Sequence, residues 1–146
     1  MSGSGVTRRR AVIGGLGAAI VAAPAAGAAP ATPAAEDPMR VVLHVGEPGG
    51  WAPALSNLDN MTSLHPDGEF RLVADGLSVY MIAGPSDLYP KLETMASRGA
   101  AIMICPNALR EHGIAPSQLP AYMDASEPGV VALARAQREG FAYVKP

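Results

Sequence analysis

The chain has 146 residues, 49% of them hydrophobic and 16% charged, with a formal charge of −2 and a single cysteine. That length holds one domain with a real core. The lone cysteine excludes an internal disulfide, and the lack of any Lys/Arg cluster in the body of the chain excludes a nucleic-acid surface.

The N-terminus differs in kind from the rest. Arg8-Arg9-Arg10 precede an apolar stretch, Ala11 to Ala23, rich in Ala and Gly. A spanning helix needs roughly 20 apolar residues, so this stretch is too short to cross a bilayer comfortably. Ala26-Gly27-Ala28 offers a small-residue cleavage site. Residues 1–28 therefore read as a signal peptide. The paired arginines make it Tat-like, with Arg9-Arg10 as the pair and Val12-Ile13 following. The other reading is an uncleaved anchor or a basic tail. Export predicts a periplasmic or secreted protein with no membrane segment after cleavage. The remaining chain carries a formal charge of about −5, from eight basic and thirteen acidic side chains. Residues 29–38 hold three prolines and no periodicity, and read as a flexible linker. The folded domain is expected over 39–146.

Arg40 to Val45 is a β-branched run closed by Gly46, expected to be a buried first strand. Glu47 to Gly50 is a loop. Leu55, Leu58 and Met61 give 51–64 a helical period. His65-Pro66-Asp67-Gly68 is a turn. Phe70 to Ala74 is the second strand, stopped at Asp75-Gly76. Residues 77–83 are apolar and fit either a short strand or a packed loop. Ser86 and Asp87 offer caps for a helix whose stripe is Leu88, Leu92, Met95 and Ala96. Gly99 suits its C-terminal cap. Ala100 to Cys105 is the third strand, and a short helix or turn follows over 107–112. Residues 114–124 read as a long connection. A last helix begins at Ser126-Glu127-Pro128 and buries Val130, Leu133 and Ala134. Phe141 to Val144 is a final strand.

Strands alternating with helices predict a three-layer α/β/α sandwich on a mainly parallel sheet. Apolar strand runs fit burial on both faces. Ligands of such sheets bind beyond the C-terminal strand ends. If the strands are neighbours, His44, Asp75 and Cys105 converge on one rim.

The runs Val41 to Val45, Ala54-Leu55 with Asn57 to Asn60, and Leu72 to Gly76 resemble the DsrE/DsrF-like family of small sulfur-relay proteins. So do Gly99 to Asn107, through Cys-Pro-Asn-Ala-Leu, and Glu139 to Pro146. The resemblance spans 40–146. The turn Gly76-Leu77-Ser78 departs from the Gly-Pro-Gly often found there in the family. The resemblance implies one α/β/α domain with a sheet of about five strands, assembled as a homo-oligomeric trimer or hexamer. It also implies a sulfur carrier or sulfurtransferase that holds a persulfide on Cys105. Its partners would be a sulfur donor or acceptor protein, or a small thiol.

Each candidate residue also has a plainer reading. Cys105 is a nucleophile or an inert buried thiol. His44 is a base or partner for Cys105, or a satisfied core histidine. Asp75 and Gly76 line a pocket or form only a turn. Asn57 and Asn60 share a helix face and line the pocket or meet another subunit. Asn107 follows Cys105 at the strand end and is a candidate binding residue. Trp51 is a loop anchor or a subunit contact. The methionines read as core filler. His65 and His112 sit in turn and helix-end positions, and no metal-ligand spacing exists, so no metal is expected. No cofactor is expected: Gly46, Gly49 and Gly50 lack the lysine of a phosphate loop, and no dinucleotide fingerprint occurs. The competing functional class is a non-catalytic, oligomeric small-ligand-binding or assembly module with a structural cysteine.

Overall fold

The computed structural model describes residues 37–146. The predicted signal peptide, 1–28, and the linker up to residue 36 lie outside the described residues. The chain runs β1 (Arg40–Val45), α1 (Trp51–Leu64), β2 (Glu69–Ala74), α2 (Tyr89–Ser97), β3 (Ala101–Ile104), α3 (Pro106–Glu111), β4 (Met123–Asp124), α4 (Gly129–Arg138) and β5 (Ala142–Val144). All five strands are parallel, in the order β4-β3-β2-β1-β5. The expected α/β class and parallel sheet are therefore observed.

The two faces are unequally covered. Val41, Leu43 and Val45 of β1 pack with Leu72, Ile102, Leu55, Leu58, Leu92 and Leu109, which brings α1, α2 and α3 onto one face. The alternate residues Val42, Val73 and Met103 pack with Ala132, Leu133 and Ala136 of α4 and with Phe141. Period-two alternation of side chains makes this division. It follows from chain direction as well. The first three crossovers step one way along the sheet and the last returns. Right-handed connections then put the last helix on the opposite face.

Several expectations are corrected. The 114–124 connection contains β4, a two-residue strand too short to leave a periodic signal. The ambiguous 77–83 stretch belongs to a 3₁₀ helix over Gly76–Ile82. The third strand ends at Ile104, and Cys105 is the N-cap of α3. The last helix starts at Gly129 with Pro128 as its N-cap. Val130 and Ala134 face solvent, because α4 turns Gly129, Ala132, Leu133 and Ala136 to the sheet instead. Small residues there let the helix lie close to the strands. Met81 is 43% exposed and is not core filler.

Trp51 anchors the loop after β1. It is buried, and its indole N–H donates to the Ser78 carbonyl at 2.9 Å. Ser78, fully buried, sends its hydroxyl to the Val45 and Asp75 carbonyls, each at 2.7 Å. The ends of β1 and β2 are thus tied to one another through a single side chain. Trp51→Ala should cost about 3–5 kcal/mol of stability, from the lost burial and the cavity left behind. Urea denaturation followed by circular dichroism checks this.

Candidate functional site

The C-terminal rim is organised by register. Val45 pairs with Ala74, and Ala74 with Ile104. The next residues, Gly46, Asp75 and Cys105, therefore stand at the same level on adjacent strands. Asp75 N–H donates to the Val45 carbonyl at 3.0 Å, and Cys105 N–H to the Ala74 carbonyl at 2.8 Å. Parallel strands lie about 4.8 Å apart, so the three residues are neighbours.

The chain leaving β4 crosses this rim before α4 begins. A Cβ built on Gly129 would stand 3.2 Å from the Cβ atoms of both Asp75 and Cys105, and 3.4 Å from Asp75 Oδ2. Glycine lets the helix start rest directly on the two side chains. The crossing is shaped by Asp124, whose Oδ1 accepts the Ser126 N–H at 2.9 Å. Hydrogen bonds from Ser126, aided by the Arg135 charge, hold the Asp124 carboxyl below its ordinary range against a smaller opposing effect of burial.

His44, two residues before Gly46, joins Asp75. Its Nε2 lies 2.9 Å from Asp75 Oδ1, and its Nδ1 lies 2.7 Å from the Tyr143 hydroxyl. A carboxylate only accepts, so Nε2 carries the proton. The Tyr143 hydroxyl, which can donate or accept, pairs with Nδ1 in either protonation state of the ring. The result is a hydrogen-bonded chain, Tyr143 to His44 to Asp75. The His44 and Asp75 side chains are 15% and 27% exposed, so the pair is part-buried.

Cys105 is 7% exposed and packs within the larger core, between β3 and the start of α3. Its thiol makes no cap hydrogen bond to that helix. The structure thus brings His44, Asp75, Gly76 and Cys105 to one rim. The partner of His44 is Asp75, and among the described residues no hydrogen bond joins either side chain to the Cys105 thiol. Gly76 has φ +52°, and a Cβ there would meet the Gly46 carbonyl oxygen at 2.9 Å. Its backbone role is therefore fixed. Asn107 is exposed beside Cys105 and accepts from Arg110 at 2.9 Å. Asn60 does not join the rim. It is exposed on α1, roughly 13 Å along the axis from the helix start at 1.5 Å per residue. Asn57 is exposed on the same helix.

Two rim residues escaped sequence reasoning. Tyr143 reaches His44 because β5 lies beside β1, with Val42 opposite Tyr143. Strand order across a sheet leaves no local mark. Gly129, after Pro128, carries the ordinary signature of a helix start and nothing that announces a close approach. Elsewhere, a cleft of about 500 Å³ opens between α1 and α2, lined by Leu55, Ser56, Asp59, Lys91, Thr94 and Arg98. Among the described residues, no group of three or more His, Cys, Asp or Glu side chains could hold a metal ion.

This fold recurs in solved structures. A protein of unknown function, MTH1491 from Methanobacterium thermoautotrophicum, superposes with a TM-score of 0.68 and 26% identity, covering 74% of this chain and 99% of that one. The ychN protein from E. coli superposes with a TM-score of 0.59 and 15% identity, with the same 74% and 99% coverage. Both have the DsrE-like fold, and the architecture described above is the same α/β arrangement. No protein-family model matches the chain, and no curated protein does.

Two outcomes follow from the rim. Gly76→Ala should destabilise by about 2 kcal/mol or more, since a left-handed backbone alone costs roughly 1–2 kcal/mol in a residue with a Cβ. A shift in the urea midpoint measures it. The depressed Asp124 carboxyl gives stability that is present above the unfolded carboxylate range and lost as pH falls through the folded value. Asp124→Asn should therefore flatten stability between neutral pH and about pH 3, read by melting temperatures across that range.

Proposed function

We propose that this chain is an exported member of the DsrE/DsrF-like family that carries sulfane sulfur as a persulfide on Cys105. The observation that supports the reading best is the position of Cys105. It directly follows the third strand of a DsrE-like sheet, at the C-terminal rim where sheets of this kind bind ligands, near Asp75 and at the N-cap of α3. In the proposed reaction the thiolate attacks the outer sulfur of a persulfide donor. The donor's S–S bond breaks, a new S–S bond forms on Cys105, and the donor leaves as a thiolate. A partner protein or small thiol then takes the sulfur by the same exchange. No resident metal or cofactor enters.

The protein acts as a homo-oligomer, a trimer or hexamer, in the periplasm or outside the cell. Self-association is supported by the outer side of α4, where Val130 is 71% and Val131 44% exposed on a helix that covers its sheet face alone.

One observation favours the second reading, a non-catalytic binding or assembly module. Cys105 is almost fully buried among apolar side chains, as inert cysteines are. The two readings part in intact-protein mass spectrometry. After incubation with glutathione persulfide, the carrier should gain about one sulfur, roughly 32 Da, that reductant removes and Cys105→Ser lacks. An unchanged mass, with a thiol that alkylates only on unfolding, establishes the binding module instead. The same spectrum gives the N-terminus of the exported protein and so tests the cleavage at residue 28.

A further inference from the structure

The cleft between α1 and α2 shares no residue with the rim. One wall is a flank of α1, through Ala52, Ser56 and Asp59, and the other is the facing flank of α2, through Lys91, Thr94 and Arg98. Each wall is roughly 10 Å long. The volume of about 500 Å³ lies within the range of small-molecule sites. Leu55 and Met95 form an apolar floor, and the Thr62 hydroxyl lies 3.6 Å from the Met95 sulfur. At one end Arg98 Nη1 donates to Asp59 Oδ1 at 2.6 Å and to the Ser63 hydroxyl at 3.1 Å. Asp59 is the one carboxylate in the lining among the described residues, so it is already engaged. Lys91 is not: among the described residues it has no ion-pair partner. Yet the chain after residue 28 carries thirteen acidic side chains against eight basic. Two cations and one carboxylate leave this lining with a formal charge of +1 on an acidic protein.

The hydroxyls narrow the choice of anion. Thr94 Oγ1 donates to the Pro90 carbonyl at 2.8 Å, so toward the cleft it only accepts. Ser56 is exposed, and its hydroxyl donates or accepts. A ligand that satisfies these groups brings an anionic acceptor for Lys91 and an O–H or N–H donor for Thr94. Its body is apolar enough to lie between Pro90 and the floor. From this combination we infer that the cleft binds a small aromatic hydroxy acid. The carboxylate meets the Lys91 ammonium, the hydroxyl donates to Thr94, and the ring covers Leu55 and Met95. An inorganic anion leaves the floor uncovered. A plain fatty acid sets its tail against Thr94 and the Asp59–Arg98 pair, whose polar atoms it cannot satisfy. The assignment goes beyond the sulfur-carrier reading and does not depend on it.

The test is a titration of the full chain with 4-hydroxyphenylacetate, followed by amide chemical shifts. Saturable shifts should gather at Ser56, Lys91, Thr94 and Met95. Lys91→Gln should weaken binding by about fivefold, the upper end for a partly exposed charge pair. Removing the carboxylate from the probe, as in 4-hydroxyphenylethanol, should weaken binding to the parent by the same factor, with no further loss in Lys91→Gln. Thr94→Val keeps the shape of the side chain. It should weaken 4-hydroxyphenylacetate by about fivefold, the equivalent of one hydrogen bond, and leave phenylacetate, which has no hydroxyl to donate, unchanged. Both substituted side chains are exposed, so neither change disturbs the core. Absence of shifts at millimolar probe, or shifts that map elsewhere, overturns the assignment. Equal affinity for 4-hydroxyphenylethanol and 4-hydroxyphenylacetate overturns it too, as does displacement by acetate at the same concentration, which would reduce the site to a bare charge. Shifts of the same residues with protein concentration alone would make the cleft an interface between copies of this chain, and equally overturn it.

Discussion

Everything at the rim depends on the parallel register of β1, β2 and β3. Val45, Ala74 and Ile104 are aligned by backbone hydrogen bonds, and the residue after each of them falls at one height. A one-residue slip would turn Asp75 away from α4 and send its charge into the apolar layer under α1 and α2. Burial of an unpaired carboxylate there costs several kcal/mol. The core chooses the register and the rim inherits it. Ser78 then secures the join, accepting the Trp51 indole at its carbonyl and giving its hydroxyl to Val45 and Asp75.

Glycine does different work at three neighbouring positions. Gly76 takes a left-handed turn under the Gly46 carbonyl. Gly129 lets α4 settle on Asp75 and Cys105 at van der Waals distance. Gly46 meets neither demand, and only leaves the edge of the His44–Asp75 pair uncovered. Two of these absences of side chain are explained by folding. For the third, folding makes no such demand.

Much of the fold was legible from the chain. The β-branched runs at 40–45 and 70–74 have no competing helical period, and Gly99 marks the end of α2 without ambiguity. Their alternation with helices implies a parallel sheet. The convergence of His44, Asp75 and Cys105 also followed, because strand ends in such sheets share an edge. What stayed hidden was decided by distant partners. The inward face of α4 does not follow from hydropathy: Val130 is more apolar than Ala132, yet the helix turns Ala132 to the sheet and leaves Val130 exposed. Strand β4 has only two residues, held in position by β3. The partner of His44 depended on which strand flanks β1, and no local pattern records that.

The two edge strands are short: β4 has two residues and β5 has three. A foreign strand laid along either edge would find only two or three backbone groups to pair with before the chain turns away. Strand addition is therefore a poor route to recognition for this protein, and equally a poor route to runaway polymerisation. Contacts with other chains fall to side-chain surfaces, where specificity is written in shape and charge. The central three strands, at whose ends His44, Asp75 and Cys105 stand, are shielded from such pairing on both flanks.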